Sequence, residues 1–564
     1  MKQSQFSTIL LFILVTLFSA CKNDQEEMDY EDGYVGLVTW ENDYQKERSG
    51  QVLFTDTYVK YDDINFDKYI QEIELNINGS AKQSLFFRAF FDKSLTNYLQ
   101  ELAPTMDLSY LLKRGNFQFT FSVDGVEIYT EDLNSGADMP LSKNKDLILT
   151  KPLLSPKDID SWGMFLWKRF YLRNGGKKAL TLGKHKLNIS IKAYLKGESY
   201  LVSDVIASGD IIINVINKDN LTDPKQNLLT PILDHTEFKT SQAMISNPSL
   251  QDLKGKINNR YFKDVTSVVI LKDNELVMEE YFKNQDRDSL NNTRSVGKSI
   301  TGLLVGIAID KGYIESEDIT IGQFFELKNN ENYTLQKSKI TIKELLTMTS
   351  KLDGSDEDPT SLGNENNYQE TAEWLEAVLN LPMSQEKKGW DYFTGGTMLL
   401  SEILDRATPD GLEIFSENFL FKRLNITNVK WHRTPQGTPY GGGGLEMSAL
   451  DLAKIGQLYL TEGKYHGVQI VNPGWIKKST TPMVEVDYEL ADSYGFLWYQ
   501  KEMMIGDKRQ AVFFAAGNGG NHIFLVPGEN VVIVITATAY NTMEGSVQGF
   551  EMIEDYIGKA IHAP

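Results

Sequence analysis

Ser295 and Lys298, in the segment Thr293-Arg294-Ser295-Val296-Gly297-Lys298-Ser299-Ile300, stand three residues apart, which on a helix puts both side chains on one face. A serine hydroxyl is a poor nucleophile at neutral pH, and a lysine whose pKa is lowered by burial can take its proton. The pair points to acyl transfer through a serine ester. Apolar residues at Val296, Ile300, Leu303, Leu304 and Ile307 predict the helix that carries them, and Gly312 ends it. A serine at its start also meets a favourable field for a developing anion. Other chemistries find less support. The six histidines offer no triad context, no G-x-S-x-G elbow surrounds Ser295, and strand alternation turns His522 away from Asn521. There is no H-E-x-x-H motif, and the run Asp353-Gly354-Ser355-Asp356-Glu357-Asp358 lacks calcium-loop spacing and reads as a solvated rim loop. Neither a metal nor another cofactor is expected.

The elements that position this pair belong to the second of two expected domains, since 564 residues exceed what one hydrophobic core usually holds. From residue 226 to the end, strands and helices mix in an α+β pattern. A hairpin is predicted from Val268-Val269-Ile270-Leu271 through Lys272-Asp273-Asn274-Glu275 to Leu276-Val277-Met278. The last strands flank Pro527-Gly528-Glu529-Asn530, and Val547 to Ile561 forms a closing helix. That layout sets one antiparallel sheet against helices. Residues 34–220 show short alternating segments instead, such as Gln71 to Gly79, Phe117 to Val126 and Lys184 to Lys192, and predict an all-β sandwich domain without catalytic groups. The aromatic clusters Phe86 to Phe91 and Trp162 to Trp167 read as its core, with a ligand-binding face as the alternative. Residues Asn217 to Lys225 form a polar connection.

A net charge of -20 excludes polyanions as partners, because nucleic-acid affinity rests on Lys and Arg neutralising phosphates. The single cysteine, Cys21, closes an apolar run from Ile9 to Phe18 that is too short to span a bilayer and reads as a signal peptide over residues 1–20. Leu17-Phe18-Ser19-Ala20-Cys21 resembles a bacterial lipobox, which implies lipidation of Cys21, membrane anchoring through it, and an acidic tether over residues 21–33. The alternative is a plain secretory signal with an incidental cysteine. The acidic segment resembles the export tag of Bacteroidetes surface lipoproteins, implying a place in the cell envelope at the outer membrane.

Ser295 to Gly312 resembles the nucleophile helix of the serine β-lactamase and penicillin-binding-protein superfamily, in its class C-like branch. Ile340 to Ser350 is similar to that branch's T-I-x-x-L-L-x-M-T-S stretch. Gly389-Trp390-Asp391-Tyr392-Phe393-Thr394 sits where the family carries Y-x-N, so the resemblance implies Tyr392 as the proton relay, with Thr394 in the asparagine's place. Thr394 and the block Tyr440 to Leu460, with its four glycines, resemble the 6-aminohexanoate-dimer hydrolase and esterase subgroup. Tyr494 to Tyr499 resembles the family's aromatic strand, lining the cleft or packing. Gly517-Asn518-Gly519-Gly520-Asn521 occupies the place of K-T-G or H-x-G, with the cation become Asn518. The resemblance implies a β-lactamase-like fold and an oxyanion hole from the amides of Ser295 and Asn521. It implies contacts to a small-molecule or peptide substrate from Thr394, Asn518, Gly519 and Gly520. Small esters, linear amides and D-amino-acid peptides are the expected substrates, in that order. The alternative is a ligand-sensing or scaffold protein that keeps the pocket without turnover.

Overall fold

The computed structural model describes residues 36–562 apart from 61–62, 77–82, 134–136, 138–139, 156–161, 198, 217–226, 235–236, 359–360, 385–388 and 489. The signal peptide, Cys21, the acidic tether and the polar connection at 217–225 lie outside the described residues.

Ser295 and Lys298 belong to a domain built around a nine-stranded sheet. Its order is Lys239–Thr240, Glu275–Tyr281, Val265–Lys272, Val531–Ala537, Asn521–Val526, Lys508–Gly517, Tyr499–Ile505, Ala491–Tyr494 and Val484–Tyr488. All neighbours are antiparallel except the first pair. The expected hairpin turns at Asp273 and Asn274, both with positive φ, a backbone that Asp and Asn tolerate best among residues with a side chain. Strand Val531–Ala537 is buried along its whole length, so it is covered on both faces. Helix Ala449–Leu460 packs on one face across this strand and its neighbours. Gly456 permits that approach, because a Cβ there would lie 2.5 Å from Val532 Cγ1. The closing helix runs Met543–Glu551 and continues as a π-helical turn, Met552–Ile557, and a last turn, Gly558–Ile561.

Strand Asn521–Val526 shows how alternation serves the site. His522 and Phe524 face the closing helix, their rings stacked 4.8 Å apart with Phe550 edge-on to both. Burial pushes the His522 imidazole down to about 4. It is a core residue, on the strand face opposite Asn521 as alternation requires.

The N-terminal region is β-rich, with a three-stranded sheet, Val52–Thr55, Leu85–Phe90 and Ile148–Leu154, and a six-stranded sheet led by Gly115–Val123, Gly183–Lys196 and Ala207–Ile216. Gly209 lets the two meet, since a Cβ there would strike the Val52 carbonyl. The expected strands are present, and the region also carries helices. Trp162 to Trp167 opens the helix Trp162–Arg173, whose Trp167 and Phe170 are fully buried. The aromatic clusters are therefore core: Phe121 stacks on Phe170 at 4.7 Å and Phe119 tilts against Trp162 at 5.5 Å.

Candidate active site

The helix Val296–Asp310 runs through the middle of the second domain, buried from Val296 to Ala308. Its glycines admit neighbours: Trp475 lies against Gly306 and donates its indole N–H to Gly302 O at 3.1 Å. Ser295 is the residue at its head. The turn into it is sharp, for Arg294 holds φ at 49°, a left-handed conformation that is uncommon for any residue with a side chain and clusters at functional sites. Hydrogen bonds fix that turn: the Thr293 amide and hydroxyl both donate to Leu445 O at 2.8 Å, and Arg294 N donates to Asn292 Oδ1.

Lys298 Nζ stands 2.7 Å from Ser295 Oγ and donates to Gly442 O at 2.5 Å. The lysine is 2% exposed. Burial drives its pKa down, while the negative charges of Glu365 and Asp356 hold it up. A neutral lysine in this position keeps one N–H on Gly442 and offers its lone pair to the serine hydroxyl. Tyr392 completes the group: its hydroxyl is engaged by the Ser295 side chain and its ring lies 5.1 Å from Lys298 Nζ. Burial pushes the phenol well above its ordinary range, and the bond to Ser295 opposes that rise. Tyr392 thus rests as a neutral phenol, able to hand a proton on.

The glycine run fits between two helices. Gly441 accepts from Thr301 Oγ1 at 3.0 Å and donates to Ser401 Oγ at 3.0 Å, so it touches the nucleophile helix on one side and Thr394–Ala407 on the other. A Cβ at Gly442 would lie 2.7 Å from Thr394 Cγ2 and 2.8 Å from Tyr440 Cζ. None of these four glycines has positive φ. At Gly441, Gly442 and Gly444 glycine is required for close approach alone.

The family model described as Beta-lactamase matches residues 263–553, just over half of the chain. The chain belongs to the beta-lactamase family. A protein of Bacillus subtilis (strain 168) named as a penicillin-binding protein, PbpX, is 24% identical over 315 residues, 52% of this chain and 74% of that one. The 6-aminohexanoate-dimer hydrolase of Paenarthrobacter ureafaciens is 23% identical over 286 residues, 47% of this chain and 70% of its own. Among solved structures, a class C beta lactamase from Rhodobacter sphaeroides covers 55% of this chain and 99% of its own at 13% identity, with a TM-score of 0.43.

Within this beta-lactamase-family domain the remaining expected residues divide. Gly517 pairs with Asn521, and a Cβ on Gly517 would lie 3.2 Å from Ser295 N, so the start of the Asn521 strand lies beside the Ser295 amide. Among the described residues no acceptor takes the Ser295 N–H. Gly519 and Gly520 hold φ of 93° and 98° in the intervening turn, which only glycine adopts without strain. Asn518 is exposed but committed: its amide donates to Asn541 Oδ1 at 2.6 Å and accepts from Asn541 N at 2.8 Å. Thr394, expected to meet substrate, is fully buried at the start of its helix, with its methyl group against the glycine run. The aromatic strand packs: Tyr494, Phe496 and Trp498 are all buried, and Tyr499 stacks on Phe514.

The acidic run 353–358 corrects the sequence reading. It is no solvated loop. Asp356 turns its carboxylate inward and accepts from Thr394 N at 2.6 Å and Glu365 N at 2.8 Å. Burial, then the neighbouring Glu365, push it up to about 7. Glu365 in turn accepts from Tyr440, whose hydroxyl also meets Tyr368. The signal for this was the Thr394–Ala407 helix itself: Phe393 stands at its N-cap and has no side-chain oxygen, so its first amides needed an acceptor from elsewhere.

Proposed function

We propose that this protein is a serine hydrolase acting by acyl-enzyme formation on an ester or amide carbonyl. Ser295 Oγ attacks the carbonyl carbon while Lys298 Nζ takes its proton. The amides of Ser295 and Asn521 receive the oxyanion. Tyr392, in contact with Ser295, relays the proton to the leaving group, whose bond to the acyl carbon then breaks. Water attacks the serine ester by the reverse proton path and frees the acid.

The observation that carries this reading is the 2.7 Å contact between Ser295 Oγ and a lysine whose burial favours its neutral form. Small esters come first as substrates, then short linear amides and D-amino-acid peptides. The relatives named for amide-dimer hydrolysis and penicillin binding support that range. Asn518, locked to Asn541, argues against tight β-lactam recognition. The reading also places the protein outside the cytoplasm, anchored in the bacterial envelope through a lipidated Cys21. Cys21→Ser should then move it from the membrane to the soluble fraction.

A fluorophosphonate probe tests the mechanism. Purified protein should carry one adduct, on Ser295, and Ser295→Ala should abolish both the adduct and p-nitrophenyl ester turnover with thermal stability nearly unchanged. A folded protein that stays unlabelled refutes it.

A further inference from the structure

Arg294 lies one residue before the nucleophile and enters into none of the proton transfers. Its backbone is held in the left-handed region at φ 49°, and a Cβ on Gly517 would lie 3.1 Å from Arg294 Cβ, so the side chain leaves beside the Gly517 to Asn521 turn. The guanidinium ends 4.4 Å from the centre of the Tyr540 ring. Tyr540 itself abuts Gly519, and its neighbour Asn541 locks Asn518. The cation thus sits along the turn in which Asn518 has no charge.

What distinguishes Arg294 is what it lacks. Among the described residues it has no carboxylate partner, no acceptor takes its guanidinium N–H groups, and its Nε is buried without a partner. This happens in a chain with twenty more acidic than basic residues. Leaving a buried donor unpaired is costly, and a planar fork of N–H groups braced on an aromatic face matches the geometry of a carboxylate.

We infer that Arg294 is a substrate-binding residue that receives a carboxylate of the substrate, so that the enzyme prefers esters and amides bearing a free carboxylate near the scissile bond. This rests on the hydrolase reading above and names the substrate class for that site. Tyr540 orients the guanidinium, and the missing side chain at Gly519 lets the Tyr540 ring pack against the turn, since a Cβ there would lie 2.6 Å from Tyr540 Cδ1.

Two pairs of chromogenic esters test it in the full-length protein. One pair is p-nitrophenyl hemiglutarate against p-nitrophenyl valerate, with the charge on the acyl part. The other is a carboxy-substituted nitrophenyl acetate against the unsubstituted ester, with the charge on the leaving group. In at least one pair the wild type should favour the anionic member in kcat/KM. Arg294→Gln should lower that ratio about tenfold to a hundredfold, and Arg294→Lys should restore part of it. A side chain that only braces the turn would change both members of a pair alike. Turnover with no preference in either pair, or a preference that survives Arg294→Gln, overturns the inference and leaves the hydrolase reading standing. No turnover of any ester, with Ser295 unlabelled by a fluorophosphonate, overturns both.

Discussion

Gly442→Ala adds one methyl group next to the reacting atoms and should slow the enzyme out of proportion to its size. The new Cβ would stand 2.7 Å from Thr394 Cγ2 and 2.8 Å from Tyr440 Cζ. Carbon atoms rest at ~3.5 Å, so about 0.8 Å must be found somewhere. Neither neighbour can yield it. Thr394 is fully buried with its amide bound to Asp356, and Tyr440 is tied by its hydroxyl to Glu365 and Tyr368. The backbone of residue 442 therefore moves, and its carbonyl is the acceptor that aims Lys298 Nζ. Overpacking of this kind costs about 1–3 kcal/mol of stability. A displacement of that size at a catalytic base costs on the order of a hundredfold in rate. Urea unfolding gives the first quantity, and the rate of fluorophosphonate labelling at Ser295 gives the second. Gly389→Ala is the control, since a Cβ there meets nothing within 4 Å, and it should match the wild type in both. If Gly442→Ala labels at the wild-type rate while folded, the carbonyl of residue 442 does not position the lysine.

Other outcomes follow from the same contacts. Lys298→Arg, which stays charged at all working pH, should lose at least a thousandfold in ester turnover with the protein folded. In the wild type, turnover should rise with pH along a limb set by Lys298. Asp356→Asn should shift that limb to lower pH, because the Asp356 charge helps hold the lysine's proton; an unmoved limb separates the two groups. His522, lowered from 6.5 to about 4, binds its proton more readily in the unfolded chain. The stability this allows is present above pH 6.5 and is lost as pH falls towards 4, by about 3 kcal/mol. Thermal melts across that interval should fall for the wild type and flatten for His522→Phe.

The sequence showed the elements with strong periodicity and left hidden the contacts made across the fold. Val296, Ile300, Leu303 and Ile307 announced the nucleophile helix, and it runs to Asp310 with Gly312 just beyond, as the capping rule requires. The hairpin at Asp273 and Asn274 was legible because its turn residues tolerate positive φ. Trp162 to Trp167 was legible as core but not as helix, since a short aromatic run buries equally well in either conformation. In the site, Ser295 and Lys298 were readable from local spacing. Asp356 was not, because a carboxylate in an acidic run looks solvated until the fold brings two orphan amides to it. Arg294 escaped notice because its isolation from any acid is a property of space alone.

The run 353–358 is gripped from two directions. On its inner side Asp356 holds Thr394 and Glu365. On its outer side Arg169, from helix Trp162–Arg173 and itself bonded to Glu131, donates to the carbonyl of Glu357. Anchoring one end of a short segment removes much of the entropy otherwise lost in anchoring the other, so the two attachments reinforce each other. Through Arg169 the N-terminal region acts as an outer buttress for the wall behind Lys298. A chain shortened to its catalytic half would have to hold that wall from the inside only.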